Sequence, residues 1–521
     1  MTTPPDNVSD TTGDGTGGDR PRRVFDRRTL LAAAAGAAGV TVVADGLATG
    51  ESVAFARGRG RARDPLAGLR AAVGGAMLTP GERGYRAAAD VYNTRFDAIA
   101  PRAVARPGNE TQVVRALRWA VGSGVRVRAR SGGHSYAGYS TLSEGVVIDL
   151  RRLNGVSVDR RSGVATVGAG AQLIDVYAKL AASGATIPAG SCPSVGIAGV
   201  TLGGGMGLAG RAYGLTTDHL VGARIVTADG RLRSVSARTD PDLLWALRGG
   251  GGGNFGIVTQ FTFTVRPLPS AATYFFISFP WSSAPEALAR WTQWAPRADT
   301  RITSIFRLAV SPAGPSVLVT GQFIGPRGAL PALAAPMLGV RGASLVSGTE
   351  AYLPLQLRWA GCAHTSEAAC HTVGAAPGGT LPRASFNAKS DYLSRPLSEG
   401  GAAALASAVA SRGGAPGSGA VLLDSYGGAI NRVNPSSTAF VHRDELCAIQ
   451  YLSYSGGAGW LARTWETMRP YVSGQAYQNY IDPGLANWQR AYYGANYPRL
   501  VQVQRREDPH RFFAFPQAIG A

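Results

Sequence analysis

Two stretches decide how this chain reads: Arg130-Ser131-Gly132-Gly133-His134-Ser135-Tyr136 and, further on, Gly190-Ser191-Cys192-Pro193-Ser194-Val195-Gly196-Ile197-Ala198-Gly199. Each sets one reactive side chain, a histidine or a cysteine, inside a run too rich in glycine for an ordinary helix or strand. Glycine has no Cβ, so backbone N–H groups can turn toward a ligand and the ligand can come within hydrogen-bonding distance of the chain. The two stretches therefore predict two ligand-holding loops, each armed with a nucleophile.

The flanking sequence places those loops. Residues 125–130 alternate as Val-Arg-Val-Arg-Ala-Arg, a strand pattern that delivers the chain to the first loop. Residues 111–123 carry Val114, Leu117 and Val121 at helical spacing and stop at Gly124. A second strand is expected at 146–150, a hairpin at 156–158 and 164–167 around Arg160-Arg161-Ser162-Gly163, and a helix at 172–182 leading into the second loop. Strands broken by single helices and glycine turns predict an α+β fold rather than a regular βαβ array. Beyond about residue 268 the texture changes to short apolar strands, Ala/Leu helices and Pro/Gly loops. Candidate strands at 275–279, 316–323, 421–426 and 447–454 predict a second sheet covered by helices.

With 521 residues, 45% of them hydrophobic, the chain can fill two or three domains. Its 70 glycines follow no Gly-X-Y period, which excludes a collagen-like chain. A net charge of +19 invites a nucleic-acid reading. Distribution argues against it: apart from Lys179 and Lys389 the basic residues are arginines, scattered without a basic tract or aromatic interleaving. No nucleic-acid partner is expected; the charge leaves room for acidic substrates or anionic surfaces.

The N-terminus has the outline of an export signal over residues 1–56: a polar stretch, a basic patch at 20–28 and an apolar run at 30–44. That run of about 15 residues is short of the ~20 needed to span a bilayer, so no stable membrane insertion is expected. Arg27-Arg28-Thr29-Leu30-Leu31 resembles a twin-arginine signal, with Asp26 where Ser or Thr is usual, and Ala54-Phe55-Ala56 offers a cleavage site. The expected destination is secreted or cell-surface. In that oxidising setting Cys362 and Cys370 are expected as a disulfide, and Cys447, in an apolar run, as a buried free thiol. A zinc site from Cys362, His364, Cys370 and His371 is the alternative, although His371 directly after Cys370 suits tetrahedral closure badly; no metal is expected.

Two other motifs point elsewhere and fail on context. Residues 202–210 contain a formal G-x-G-x-x-G, and Asp229 lies at the spacing of a ribose-binding acid, but Ala228-Asp229-Gly230 reads as a hairpin turn between strands at 223–227 and 232–235. Gly133-His134-Ser135-Tyr136-Ala137 nearly spells a hydrolase nucleophile elbow, yet it ends in Ala and follows no oxyanion motif.

From about Tyr92 to the C-terminus the chain resembles the berberine bridge enzyme-like oxidases of the vanillyl alcohol oxidase / p-cresol methylhydroxylase fold. The two glycine loops and Tyr477-Gln478-Asn479-Tyr480 carry the resemblance. It implies a two-domain α+β flavoprotein: an FAD-binding domain at 57–268, a substrate domain at 269–472 with an antiparallel sheet covered by helices, and a segment at 473–521 that returns to the FAD-binding domain. FAD would be tethered twice, through His134 and Cys192, which raises its tendency to accept hydride. Further implied FAD contacts are Arg130, Ser131, Gly132, Gly133 and Ser135 in the first loop, and Val195, Gly196 and Gly199 in the second. Gly204, Gly205 and Gly207 follow, then Gly256, Ile257 and Val258, and finally Asn479, Asn496 and Tyr497. Val195 matches a gatekeeper position that leaves room for O2.

Tyr480 matches the general base of the family. A phenol with pKa ~10 is a poor base unless its proton is passed on, and Asp424 matches a second active-site position that could take it. Tyr136 matches a substrate contact. The implied activity is oxidation of a small-molecule alcohol or carbohydrate, at a sugar C1 hydroxyl or a natural-product hydroxyl, with O2 reduced to H2O2, after passage through the export machinery. Two alternatives stand beside it: a dehydrogenase or oxidative cyclase of the same fold that uses another acceptor or forms a C–C or C–N bond, and a flavin-bearing binding protein without turnover.

Overall fold

Asn109 opens the first long helix, Glu110–Gly122, by accepting a hydrogen bond from the Gln112 N–H at 3.0 Å, with Glu110 in the first turn where the helix dipole favours an acid. The computed structural model describes residues 64–413 and 417–521; the expected export signal lies outside the described residues. The helix buries Val113, Ala116, Leu117 and Ala120, while Val121 is 41% exposed. Its inward stripe is thus rotated from the expected Val114, Leu117, Val121 face. Two alanines make the close approach there, a signal that bulky-residue periodicity misses.

Under this helix lies a four-stranded sheet in the order Met77–Leu78, Ala103–Ala105, Val146–Asp149, Val127–Arg130; the last three strands run parallel. Val146–Asp149 is buried along its whole length, as a parallel strand covered on both faces must be. A five-stranded antiparallel sheet follows. It holds the hairpins Val156–Asp159/Val164–Gly168 and Leu220–Val226/Leu232–Ser236 on either side of Ile257–Thr264. Asp229 sits in the second hairpin's turn, accepting from Thr227 Oγ1 at 2.6 Å and the Arg231 N–H at 3.1 Å. The turn explains that acid without any nucleotide.

The third sheet has seven antiparallel strands in the order Ser344–Ala351, Ala271–Phe279, Gly314–Phe323, Ile302–Ser311, Gly419–Ser425, Cys447–Tyr454, Phe386–Leu393. Ile302–Ser311, Ser344–Ala351 and Phe386–Leu393 were not expected from the sequence, because polar residues interrupt their apolar runs. Strand alternation divides the faces. Phe275, Phe306, Val421, Leu423 and Ile449 enter a core under the helices Ala284–Trp294, Glu399–Ala410 and Ala458–Thr467. Ala448 and Tyr392 lie on the opposite face, in a cluster with Leu215, Phe440 and Tyr477 against which Met206 and Tyr480 pack. This face meets the glycine-rich half of the molecule.

Cys362 and Cys370 form a disulfide with Cα atoms 5.7 Å apart. His371 bonds Asp175 at 3.1 Å, a partner that raises its pKa. The thiols and the ring are thereby committed, and among the described residues no group of His, Cys, Asp and Glu could hold a metal ion. Cys447 is a buried free thiol whose pKa burial pushes well up. No helix among the described residues is long and apolar enough to cross a membrane.

One buried ion pair ties the parallel sheet to the first glycine loop. Arg130 donates to Asp149 at 2.8 Å and to the carbonyls of Ala88 and Ala89, and both side chains of the pair are almost fully enclosed. Asp149→Ala would leave the guanidinium buried and unpaired, and unfolding in denaturant should show a loss of about 3–5 kcal/mol.

Candidate active site

The strand Val127–Arg130 ends where the first glycine loop begins, and the second loop crosses it backbone on backbone. A Cβ on Gly132 would stand 2.3 Å from the Gly196 nitrogen and 2.5 Å from the Ser194 oxygen; one on Gly196 would stand 2.2 Å from the Gly132 nitrogen. Only glycine fits at either position. Gly133 follows in the left-handed region at φ +74. Around the crossing, Ser131 Oγ donates to the Ala169 carbonyl at 2.6 Å and Ser135 Oγ accepts from the Tyr139 N–H at 3.0 Å. Arg130, expected among the cofactor contacts, spends its guanidinium on Asp149 and two carbonyls, so only its backbone faces the loop.

The crossing brings the two nucleophiles into one site. His134 Nε2 lies 2.9 Å from Ser194 Oγ, and its ring stacks on Tyr92 with centroids 4.1 Å apart. Burial pushes the imidazole down to about 3, so it is neutral around pH 7. Cys192 is exposed, and its charge helps raise the phenols of Tyr92, Tyr136 and Tyr480, which puts the thiol among those three rings. Half-buried Val195 packs against the surrounding core.

The other glycines divide into two kinds. A Cβ on Gly199 would meet nothing within 4 Å, which leaves that edge open to a ligand. Gly204 and Gly205, at φ +129 and +85, press against Phe440 and Thr216, and a Cβ on Gly207 would strike the Ala189 carbonyl. Protein packing already demands these three. Gly256, at φ +148, lies against the Val226 carbonyl and starts the buried strand carrying Ile257 and Val258. From the C-terminal segment, Asn479 Nδ2 donates to the Val200 carbonyl and to the Tyr477 hydroxyl, each at 3.0 Å, while that hydroxyl accepts from the Gly205 N–H at 2.8 Å. Asn479 thus clamps the glycine stretch. Asn496 Nδ2 donates to the Pro435 and Thr438 carbonyls, and the Tyr497 hydroxyl accepts from the Gly520 N–H, so both are engaged within the protein.

Tyr480 stands at the end of that clamp. Its ring stacks on Tyr136 at 5.2 Å and meets Tyr477 edge-on at 4.9 Å. Burial, then the charge of Asp424, holds its phenol well above the ordinary range. Asp424 pairs in register with Ile305 on one side and Ala448 on the other. Burial pushes its carboxyl up to about 7, and it makes no hydrogen bond or ion pair to another described residue. It lines a small cavity with Met206, Thr303, Ile305 and Tyr426.

The structure adds partners the sequence did not disclose. Gln450 donates to the Tyr136 hydroxyl at 2.5 Å; an amide in the largely apolar strand Cys447–Tyr454, in phase with Ala448, was its one visible signal. Tyr92, Ser194 and Tyr477 are likewise revealed by contacts between distant segments. The assembled site offers a neutral imidazole, an accessible thiol, and a phenol beside a carboxylate that exchanges its proton near neutrality.

The FAD binding domain family matches residues 101–236, and the family described as berberine and berberine like matches residues 476–520. The uncharacterized FAD-linked oxidoreductase YgaK of Bacillus subtilis (strain 168) is 36% identical over 428 residues, covering 79% of this chain and 89% of its own. The structure of Physcomitrella patens BBE-like 1 superposes with a TM-score of 0.79 at 32% identity, over 87% of this chain and 98% of that one. A chitooligosaccharide oxidase superposes at 0.78 with 26% identity, over 87% and 99%. The glycine crossing and the tyrosine-bearing C-terminal segment thus fall inside the two matched regions, on a two-domain α+β fold shared along nearly the whole length of the moss protein: the chain belongs to the berberine bridge enzyme-like family of FAD-linked oxidoreductases.

Proposed function

We propose that this protein is an exported oxidase that carries FAD through covalent bonds to both His134 and Cys192 and oxidises an alcohol, at a sugar C1 hydroxyl or a natural-product hydroxyl, with O2 as acceptor and H2O2 as product. The observation that carries this reading is the Tyr136–Tyr480 stack, which lies within reach of the charges of both Asp424 and Cys192. The residues suit a covalently held flavin. Ser194 engages His134 at Nε2, and in the tautomer whose Nε2–H donates to Ser194 Oγ, Nδ1 keeps a lone pair for a bond to carbon. Cys192 is accessible, and Gly199 leaves an open edge for the rest of the dinucleotide.

When bound, FAD supplies a two-electron hydride acceptor that O2 can reoxidise. The protein manages the proton. Tyr480 takes the proton of the substrate hydroxyl while passing its own to Asp424, which answers the weakness of a phenol as a base at neutral pH. Tyr136, oriented by Gln450, holds the hydroxyl in place. Val195 keeps the bulk beside the second loop small, in favour of O2. One structural relative is a chitooligosaccharide oxidase, which supports a carbohydrate donor. Arg27-Arg28 ahead of the apolar run at 30–44 supports export by the twin-arginine route, which suits a protein that folds around its cofactor before crossing a membrane.

Acid-denatured protein should keep its yellow chromophore on the polypeptide. His134→Ala and Cys192→Ala should each retain singly attached flavin, and the double variant should release it; free flavin from the wild type would reject the covalent reading. Tyr480→Phe should slow anaerobic flavin reduction by about 10²–10⁴-fold while changing substrate Kd far less, as read by stopped-flow absorbance.

The reduction rate should also climb with pH through about 7, because only ionised Asp424 can accept the proton. Asp424→Asn should erase that climb, and a flat wild-type profile would count against the role given to Asp424.

A further inference from the structure

Asp424 must discharge the proton it receives in each turnover, and it lies at one end of a series of enclosed titratable groups. It shares its cavity with Tyr426, whose phenol its charge helps to raise. The Tyr426 hydroxyl is 3.0 Å from that of Tyr392, and both side chains are fully buried. Tyr392 stacks on His442 at 4.3 Å and feels the charge of Glu445. Gln475 joins the last two: its Oε1 accepts from His442 Nδ1 at 2.6 Å, and its Nε2 donates to Glu445 Oε1 at 2.6 Å. His442 and Glu445 are 1% and 2% exposed. Their remaining polar atoms, His442 Nε2 and Glu445 Oε2, have no hydrogen-bond partner among the described residues. Gln475 also lines a surface cleft with Ser473, Gly474 and Arg490.

Burying a phenol pair, an imidazole and a carboxyl in one cluster costs stability unless each is satisfied, and here two atoms are not. None of these groups serves the glycine crossing. Their order runs from the active-site carboxyl to Glu445, whose neighbours Ser473 and Gln475 line the cleft.

We propose that Tyr426, Tyr392 and Glu445 form a proton exit from Asp424 to that cleft, with His442 and Gln475 holding Glu445 in position. The relay rests on the alcohol-oxidation reading. The substrate loses a hydride from carbon and a proton from oxygen, and the proton reaches Asp424 through Tyr480. Asp424 passes its proton through a water in the cavity it shares with Tyr426 to the Tyr426 oxygen, as Tyr426 gives its own proton to Tyr392 and Tyr392 gives its own to the Glu445 carboxylate. As many O–H bonds form as break, both tyrosines end neutral, and Asp424 is a carboxylate again. Glu445 then releases one proton toward the cleft past Ser473, which neighbours its carboxyl and lines the cleft.

Burial pushes both end groups up, Glu445 and Asp424 each to about 7. Asp444 and Cys447 are the other titratable groups coupled to Glu445, with Ser473 and Gln475 as its polar neighbours. Arg443 is committed to Asp218 at 2.6 Å.

The test is an anaerobic single turnover of the FAD-loaded protein with chitobiose or cinnamyl alcohol as donor, following flavin bleaching together with a pH-indicator dye in weak buffer. In the wild type one proton should appear in solution in step with bleaching. In Glu445→Gln and in Tyr392→Phe bleaching should persist while proton release lags by at least about tenfold, and Glu445→Asp should recover part of the rate. Release that keeps pace in both blocked variants overturns the relay alone. No bleaching of the wild type overturns the oxidation reading and the relay with it.

Infrared titration of the resting protein gives a readout without turnover. Asp424 and Asp391 also titrate near neutral pH, so the wild-type minus Glu445→Gln difference spectrum should show the loss of one further neutral-titrating carboxyl, and a difference spectrum without that loss also overturns the relay.

Discussion

The close crossing of Gly132 over Gly196 is the constraint on which the site depends. With a nitrogen of one loop 2.3 Å from where a side chain of the other would begin, the two backbones can approach only if both positions lack a Cβ. That approach sets Ser194 against His134 and turns Cys192 toward Tyr92, Tyr136 and Tyr480. The Arg130–Asp149 pair fastens the first loop to the parallel sheet from behind, and Gln172, at the start of the helix Leu173–Ala182, bridges to Gly196 from the other side. The chemistry rests on a joint made of absent side chains.

A second clamp brings the proton-handling groups to that joint. Tyr477 and Asn479 hold the backbone of Val200 and Gly205, so Tyr480 is placed by the same stretch that lies along the open edge at Gly199. The seven-stranded sheet contributes Asp424 and Gln450 from adjacent strands, on the face opposite its helix-covered core. Three separate parts of the chain therefore meet, each fixed by its own hydrogen bonds.

How much of this was legible in the sequence depended on whether the signal was local. The glycine loops could be read because a steric demand for glycine leaves its mark at the very positions where it acts. Tyr480 and Asp424 could be matched because their surroundings, Tyr-x-Asn-Tyr and Leu-Asp-Ser-Tyr, are short and contiguous. The ion pair of Arg130 was not legible: its partner Asp149 lies across a parallel pair, and nothing beside Arg130 announces it. Ser194 was invisible for the same reason, and Gln450 showed only as an amide in a largely apolar strand, since each acts on a residue brought near by tertiary folding. The strands Ile302–Ser311, Ser344–Ala351 and Phe386–Leu393 escaped notice because their polar positions face the molecule's other half or the sheet edge, where alternation with apolar residues is imperfect. Val121, apolar yet exposed, shows the converse: periodicity alone over-weights bulk and overlooks alanine.

Asp424 takes its proton affinity from its walls, because no described side chain donates to it. Ile305 and Ala448 flank it in register, one branched and one small. A lineage descended from this protein could therefore retune the acidity at which it works by exchanging a single flanking residue, leaving every group that touches the reacting atoms untouched. The sheet acts in this respect as an adjustable dielectric, and adaptation to a new habitat would be written in its plainest positions.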